Sequence, residues 1–229
     1  MNDDYLKKFG IPYLHYMVPI DNVPSILATG ILSYNLILRM QVKHRDIADV
    51  RVQEIRKSII PLTKRSIHDY VPLYFGTQTP MQYVITRPAT TRRRKQIVSR
   101  NDLVFLDLEA SHIFDEPDVI FSDGNAAQLS KTTFYADPAD LGKLDWETIN
   151  CPGGYHGSSG KCYNREWKRK KSSEVLVPER VPPEHICRIV VYDENASEGL
   201  VNQVQAAGTK LNYPVEYGTE TCWKYYEFF

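Results

Sequence analysis

The 229-residue sequence lacks the motifs that identify several large classes of enzyme. It contains no GxGxxG, GxxxxGK[ST], HExxH or GxSxG pattern. Rossmann dinucleotide binding, P-loop hydrolysis, zinc proteolysis and α/β-hydrolase chemistry therefore lose their usual signatures. The 4 cysteines form no CxxC pair and no metal-ligand spacing. This favours reduced thiols in a cytoplasmic protein, and no metal site is expected.

An excess of charge of either sign is also missing, because 28 Lys and Arg balance 28 Asp and Glu. This excludes a uniformly basic nucleic-acid coat protein but not a local basic patch. The N-terminal segment MNDDYLKKFG has no apolar core typical of a signal peptide, and no apolar run approaches the ~20 residues of a membrane helix. With 42% hydrophobic residues, the sequence predicts one globular domain over residues 1–229, without membrane association.

Local patterns predict a mixture of helices and strands. A helix is expected between Asp21 and Gly30, because Asp21 or Asn22 can cap it, Pro24 suits its first turn and Gly30 can end it. The remaining expected elements are a strand at Ile11–Val18, a helix at Ile47–Ser58, a helix from Thr79-Pro80, and strands at Leu103–Leu108, Val175–Val177 and Ile186–Tyr192. Because strands and helices do not alternate regularly, the pattern favours an α+β fold.

A polar stretch rich in Gly and Pro separates the later strands and is predicted to be a long functional loop, from Asp123 to Ser172. Two basic runs, Arg92–Lys95 and Lys168–Lys171, interrupt an otherwise neutral chain. Basic side chains beside aromatic ones can follow a phosphate backbone and stack on bases, although a solvated surface is an equally good interpretation. The candidate DNA-contacting residues are Arg92, Arg93, Arg94, Tyr163, Trp167, Lys168 and Arg169.

Glu174 stands at the start of a short apolar strand, directly after the predicted loop. A carboxylate at such an edge can stabilise the positive charge that develops at the anomeric carbon of a sugar. The alternative is an ordinary solvated glutamate, so the pattern alone leaves the role of Glu174 open.

Several blocks of sequence, taken in order, resemble the DarT family of DNA ADP-ribosyltransferase toxins from bacterial toxin–antitoxin systems. The blocks are His15–Leu27, Gly30–Leu32, Arg56, His68–Phe75, Thr79–Met81, Phe121–Ala127 and Glu174–Val177. The resemblance implies an ADP-ribosyltransferase fold related to poly-ADP-ribose polymerases and diphtheria toxin, with a split mixed β-sheet and flanking helices. It also implies that NAD⁺ is consumed as substrate, that single-stranded DNA accepts ADP-ribose, and that a cognate macrodomain antitoxin removes it.

The resemblance assigns Glu174 and an arginine to catalysis, with Arg56 favoured by spacing and Arg51 as its rival. The residues expected to contact NAD⁺ are His15, Tyr16, Met17, Asn22, Gly30, Arg51, Tyr74 and Phe75. Family members often carry His-x-Thr ahead of the first helix. Here Tyr16 and Val18 occupy those positions and His15 lies one place earlier. Either His15 or Tyr16 therefore remains a candidate for the nicotinamide ribose.

Three functions stay open at this point. The first is a monomeric toxin that modifies thymine or guanine in single-stranded DNA. The second is a transferase of the same fold acting on protein or RNA. The third is an inert nucleic-acid-binding module, which would have no need of Glu174, Arg56 and Asn22 together.

Overall fold

The computed structural model describes residues 3–86, 97–151, 164–218 and 225–226. Its strands are β1 (Tyr13–Pro19), β2 (Ile31–Leu32), β3 (Tyr70–Tyr74), β4 (Leu103–Glu109), β5 (Ile120–Ser122), β6 (Phe134–Tyr135), β7 (Glu174–Pro178), β8 (Arg180–Val181), β9 (Ile186–Val191) and β10 (Val215–Tyr217). Eight of them form one sheet in the order β10-β9-β4-β1-β3-β7-β5-β6, and β2 pairs with β8 alone. Because β10 runs parallel to β9 and the other neighbours run antiparallel, the sheet is mixed.

The large sheet is split between β1 and β3. β1 pairs with β4 along its whole length, from Tyr13 to Pro19, whereas it pairs with β3 only where His15 faces Tyr74. With only this one residue pair, most of the facing edges of β1 and β3 are not joined by a ladder of backbone hydrogen bonds. The structure thus confirms the expected split mixed sheet, with halves β10-β9-β4-β1 and β3-β7-β5-β6.

Short helices surround the sheet. They are α1 (Asp3–Lys7), α2 (Val23–Thr29), α3 (Tyr34–Met40), α4 (Val50–Arg56), α5 (Pro80–Thr86), α6 (Ala110–Asp115), α7 (Trp146–Asn150), α8 (Arg165–Lys171) and α9 (Glu194–Ala206), with 3-10 turns at Ile20–Asn22, Ile67–Asp69, Pro138–Lys143 and Pro183–His185. The combination of a mixed sheet and flanking helices confirms the α+β class.

The helix predicted between Asp21 and Gly30 forms, but its cap differs from the prediction. Pro24 lies in the first turn of α2, while the side chain of Asn22 makes no capping bond. Its amide instead donates to Arg45 O at 2.9 Å and its carbonyl accepts from Arg45 N at 2.8 Å. Gly30 ends the helix with φ 86°, and a Cβ there would lie 2.4 Å from Val181 O. Only glycine fits this close approach to β8.

The two faces of the sheet are buried differently. Strand alternation sends Leu73, Leu106 and Val175 to one face, where they join the main hydrophobic core. The opposite face has smaller clusters, one around Phe105 and another around Leu176. This second face therefore has room for polar side chains.

Two local predictions were wrong. The helix predicted at Ile47–Ser58 spans only Val50–Arg56, and two of its apolar residues face solvent, since Val50 is 77% exposed and Ile55 is 46% exposed. The helix begins later than predicted because Asp49 caps it, accepting from Arg51 N. The stretch from Asp123 to Ser172 is not a continuous loop, since its described part contains β6, α7 and α8. Part of the predicted loop therefore belongs to short elements.

Candidate active site

A cavity of about 470 Å³ opens at the split in the sheet. Its walls come from both halves: Tyr16 and Met17 of β1, Tyr74 of β3 and Glu174 of β7. Helices α2, α4 and α5 complete the walls. The volume is in the range of known ligand pockets, so the cavity can take a small-molecule substrate.

Arg56 and Glu174 form an ion pair on the cavity wall. Arg56 Nη2 donates to Glu174 Oε2 at 3.0 Å, and Nη1 donates to Oε1 at 3.4 Å. The Glu174 side chain is 1% exposed and that of Arg56 is 13% exposed. Burial alone would lower the pKa of Arg56, but the charge and hydrogen bonds of Glu174 outweigh it and raise that pKa. The guanidinium therefore stays charged beside the carboxylate.

The backbone supplies a further contact to Glu174. Ala126 N–H donates to Glu174 Oε1 at 3.0 Å, from a turn that follows β5. The hydroxyl of Ser122 donates to Gly124 O at 2.7 Å and accepts from Glu174 N at 3.3 Å. One side chain thus joins the turn to the first residue of β7, and the carboxylate is held from two directions.

Two tyrosines flank the ion pair. Burial raises the pKa of Tyr16 to about 12, and the charge of Asp46 acts in the same direction. Burial and the charge of Glu174 likewise raise the pKa of Tyr74 above its ordinary value. Both phenols are therefore neutral at physiological pH and can donate a hydrogen bond to a substrate.

The predicted NAD⁺-contacting residues divide into two groups. Those that line the cavity are Tyr16, Met17, Asn22, Gly30 and Tyr74. Three others do not line it. Arg51 is exposed on α4, away from the cavity. His15 is 1% exposed and bonds through Nδ1 to Asp107 at 2.7 Å, and Phe75 is 2% exposed among the core side chains.

The DNA-contact predictions also divide. Arg92, Arg93, Arg94 and Tyr163 lie outside the described residues. Lys168 lines the cavity, whereas Trp167 is half-buried and does not line it. The basic run was expected to be a loop, but it forms α8.

The structure argues against a DNA contact by Arg169. Its side chain is 5% exposed, and its Nη1 donates to Asp123 Oδ1 at 2.8 Å. Its Nη2 donates to Glu166 Oε1 at 2.7 Å. Of its neighbours, Lys170 is paired with Asp145 and buried Lys171 donates to Ile149 O. A guanidinium turned inward in this way does not reach a phosphate.

Sequence reasoning missed a polar group on the cavity wall near α4. His68 Nε2 lies 2.9 Å from Gln53 Oε1, and the Tyr34 ring lies over His68 with centroids 4.4 Å apart. Burial, together with the charges of Arg56 and Lys57, lowers the pKa of His68. His68 is therefore neutral and donates from Nε2 to Gln53. No local pattern marked this group, because its members lie on different elements.

The second face of the sheet carries a row of polar residues that crosses the split. Strand register places Arg188, Asp107, His15, Tyr74 and Glu174 opposite one another on β9, β4, β1, β3 and β7. Residues directly opposite share a face. Only the Tyr74 and Glu174 end of the row reaches the cavity.

Residues 3–86, 97–151, 164–218 and 225–226 contain no group of three or more His, Cys, Asp or Glu side chains placed to hold a metal ion. In the same part of the chain, no helix is both long and apolar enough to cross a membrane.

The chain is similar to a family of known proteins. Residues 15–223 match the family model described as "ssDNA thymidine ADP-ribosyltransferase, DarT". A DNA ADP-ribosyl transferase of Thermus sp. (strain 2.9) is 30% identical over 193 residues, covering 82% of this chain and 85% of that protein. A DNA ADP-ribosyl transferase–DNA ADP-ribosyl glycohydrolase fusion of Thermosipho africanus is 30% identical over 187 residues. That match covers 82% of this chain but spans only 44% of the fusion protein.

Solved structures show the same similarity. Thermus sp. 2.9 DarT in complex with ADP-ribosylated ssDNA superposes with a TM-score of 0.72 at 27% identity, covering 90% of this chain and 94% of that chain. The same DarT in complex with NAD⁺ superposes with a TM-score of 0.68 at 25% identity, covering 91% and 96%. The fold is therefore that of DarT structures solved with NAD⁺ and with ADP-ribosylated ssDNA.

Proposed function

Because the chain belongs to the DarT family, we propose that it transfers ADP-ribose from NAD⁺ to a thymine base in single-stranded DNA. The observation that carries this proposal is the buried Arg56–Glu174 pair on the wall of the cavity at the sheet split. The DarT structures with NAD⁺ and with ADP-ribosylated ssDNA support it from outside the chain. The family description favours thymine over guanine, which the sequence left open.

In this proposal NAD⁺ occupies the cavity, with its nicotinamide ribose beside Glu174. Breaking the bond between nicotinamide and ribose leaves an oxocarbenium-like centre, which a nearby carboxylate stabilises. The carboxylate of Glu174 is held by Arg56 and by Ala126 N–H, so it needs no rearrangement when this charge develops. Neutral Tyr16 and Tyr74 on the same walls supply hydrogen-bond donors for the ribose or the amide of nicotinamide.

The acceptor nitrogen of thymine carries a hydrogen, so transfer must release one proton as the new bond to the ribose carbon forms. We assign this proton to Glu174, whose carboxylate is freed of the positive charge once the new bond has formed. Neutral nicotinamide leaves, so atoms and charge balance. The base edge must be unpaired to reach the cavity, and extruding a paired base costs a few kcal/mol. Single strands are therefore the preferred substrate.

We further propose that the modification is toxic and that a DNA ADP-ribosyl glycohydrolase reverses it. The support is the fusion protein of Thermosipho africanus, which joins a DNA ADP-ribosyl transferase to such a glycohydrolase. The macrodomain expected from the family resemblance is the proposed form of this partner. Co-expression with a macrodomain glycohydrolase should restore growth of a host that the active transferase inhibits.

The direct test uses the purified chain, NAD⁺ and short single-stranded oligonucleotides that differ only in one base. Mass spectrometry should find one added ADP-ribose on oligonucleotides with thymine and none on those without it. The Glu174→Gln variant should transfer ADP-ribose ~10²–10³-fold more slowly than wild type, whereas the control Glu184→Gln, an exposed residue outside the cavity, should behave as wild type. Transfer to an oligonucleotide that contains guanine but no thymine would show that guanine is the modified base. Transfer only to RNA or protein would overturn the proposal.

A further inference from the structure

One oxygen of the Glu174 carboxylate depends on a turn formed by residues 122–126. Ala126 N–H donates to Oε1 at 3.0 Å, which is shorter than the 3.4 Å between Arg56 Nη1 and the same oxygen. The position of Oε1 is therefore decided mainly by the backbone of this turn. Any residue that holds the turn also places the carboxylate.

Arg169 of α8 clamps the turn on both sides of its glycine. Its Nη1 donates to Asp123 O at 3.1 Å and to Asp123 Oδ1 at 2.8 Å. Its backbone carbonyl accepts from Asn125 N at 2.9 Å. Glu166 accepts from Arg169 Nε at 3.1 Å and from Nη2 at 2.7 Å, so the guanidinium cannot rotate freely. The clamp thus reaches the residue directly before Ala126.

Gly124 lies between the two clamped residues, and its contacts show how closely Arg169 packs on the turn. A Cβ at position 124 would lie 2.3 Å from Arg169 Nη1 and 2.8 Å from Arg169 Cγ. The backbone of Gly124 does not adopt the left-handed conformation, and the three atoms nearest to an alanine Cβ at this position all belong to Arg169. The glycine and the arginine therefore form one packing unit.

We infer that Arg169 is a positioning residue for the proposed reaction: through the 122–126 turn it fixes the Glu174 carboxylate, and it does not bind DNA. The inference rests on the proposed function, because it names the residue that prepares Glu174 for catalysis. Preorganised groups lose much of their effect when they are misplaced by about 1 Å, at a cost of roughly 10²-fold in rate. Loosening the clamp should therefore act on turnover and leave substrate binding in place.

The first test compares Arg169→Lys and Arg169→Ala with the matched control Lys170→Gln. Lys170 lies one position along α8 and pairs with Asp145, away from the 122–126 turn. Arg169→Ala should lower kcat by roughly 10–100-fold. The KM for NAD⁺, the KM for the oligonucleotide and the salt dependence of DNA binding should stay at wild-type values. Arg169→Lys should lower kcat nearly as much, because an ammonium group cannot bond to Asp123 and Glu166 at once as the planar guanidinium does. Lys170→Gln should keep the kcat of wild type.

A DNA-contact role predicts the opposite pattern and would overturn the inference. In that case kcat would survive, the KM for the oligonucleotide would rise, and the slope of log affinity against log salt would fall by ~0.7. Wild-type transfer to a thymine oligonucleotide, measured in the same series, reports on the proposed function separately. If wild type transfers nothing to DNA, NAD⁺ hydrolysis by the same variants still measures the effect on Glu174.

The second test is a double-mutant cycle between Gly124 and Arg169, in which Gly124→Ala by itself still tests the clamp if Arg169→Ala does not fold. Gly124→Ala should lower kcat about as much as Arg169→Ala, because its Cβ displaces the guanidinium. In the Arg169→Ala background, Gly124→Ala should have little further effect, because the atoms it would meet are gone. Independent, additive losses would contradict the clamp, as would wild-type kcat in both single variants. Thermal unfolding of all four proteins gives the folded fraction to which each kcat is normalised.

Discussion

Two carboxylate–arginine pairs lie on the same face of the sheet, at opposite ends of one row of residues. Glu174 pairs with Arg56 and Asp107 pairs with Arg188, and the two arginine side chains are each 13% exposed. Both carboxylates are buried, at 1% and 0% exposure. By residue type and burial alone, the two pairs could not be told apart.

Their surroundings separate them. Asp107 accepts from His15, from Arg188 and from Tyr225, whose ring packs against His15 at 5.4 Å between centroids. Three side chains therefore enclose it, and it does not line the cavity. Glu174 lines the cavity and is held by one arginine and one backbone N–H. A buried ion pair is suited to catalysis when one side of the carboxylate faces space that a substrate can fill.

The largest expected effect is on stability and concerns the enclosed pair, Asp107–Arg188. Asp107→Asn removes one partner of a buried pair and should lower the free energy of unfolding by about 3–5 kcal/mol. The folded variant should retain most of its kcat, because Asp107 does not contact the cavity. Chemical denaturation and single-turnover transfer, measured on one preparation, check both parts. A large loss of kcat in the folded protein would mean that the two ends of the row are coupled.

The stability difference between wild type and Asp107→Asn should depend on pH. Burial would raise the pKa of Asp107, but His15, Tyr225 and Arg188 outweigh it and hold the pKa below the ordinary 3.8. A carboxyl with a depressed folded-state pKa contributes stability above its unfolded pKa and loses it as the pH falls through the folded pKa. The stability difference between wild type and Asp107→Asn should therefore be constant near neutral pH and shrink in acid below pH 3.8. A difference that grows on acidification would contradict the pairing.

The next effect concerns the open pair. Glu174→Gln should lower kcat by ~10²–10³, equivalent to about 2.7–4 kcal/mol of transition-state stabilisation. The free energy of unfolding should fall less than in Asp107→Asn, because Glu174 and Arg56 line the cavity, where water can solvate the guanidinium, and the remaining amide oxygen can still accept from Ala126 N–H. Transfer kinetics and denaturation curves test this contrast. Near-normal turnover would remove Glu174 from the mechanism.

A smaller effect separates the two arginines of α4. Arg56→Ala removes a hydrogen bond to a charged group worth about 1.5–3 kcal/mol, which corresponds to roughly 10–100-fold in kcat/KM. Arg51→Ala is the matched control, since Arg51 lies on the same helix but is exposed and outside the cavity. Steady-state kinetics with NAD⁺ should rank Arg56 well above Arg51. If Arg51→Ala lost more activity than Arg56→Ala, the catalytic arginine would be Arg51, on the exposed side of α4.

The smallest effect concerns DNA at the open end of the row. Lys168 lines the same cavity as Glu174, so Lys168→Gln should reduce the slope of log affinity against log salt by ~0.7, the value for one phosphate contact. Lys143→Gln is the control, because this exposed lysine pairs with Asp140 outside the cavity. Titration of a fluorescent oligonucleotide at several salt concentrations measures both slopes. Equal slopes for wild type and Lys168→Gln would exclude a phosphate contact at this position.

Much of the fold and part of the site could be predicted from local patterns. The apolar runs that became β4, β7 and β9 are strand-length and β-branched, and Pro24 and Gly30 mark the two ends of α2. The position of Glu174 at the start of β7 also followed from sequence. These features depend on a residue and its neighbours along the chain, so the sequence determines them directly.

The choice between rival residues needed the tertiary structure. Arg51 and Arg56 are five positions apart, which is about 140° around a helix axis, and only the packing of α4 decides which one faces Glu174. His15 and Tyr16 point to opposite sides of β1. Tyr225 packs against His15, whereas the sheet opens at the split beside Tyr16. Tyr16 therefore reaches the cavity and His15 does not.

Arg169 shows the same division most clearly. In sequence it belongs to a run of four basic residues, Lys168–Lys171, which is typical of a solvated or DNA-binding surface. In the structure its partner Asp123 lies 46 positions away, and that contact turns the charge inward. The sequence by itself determined the strands, the end of α2 and the start of β7, because these depend on interactions within a few residues. Only the tertiary structure decided which charges face the cavity, because burial is set by contacts between segments far apart in the chain.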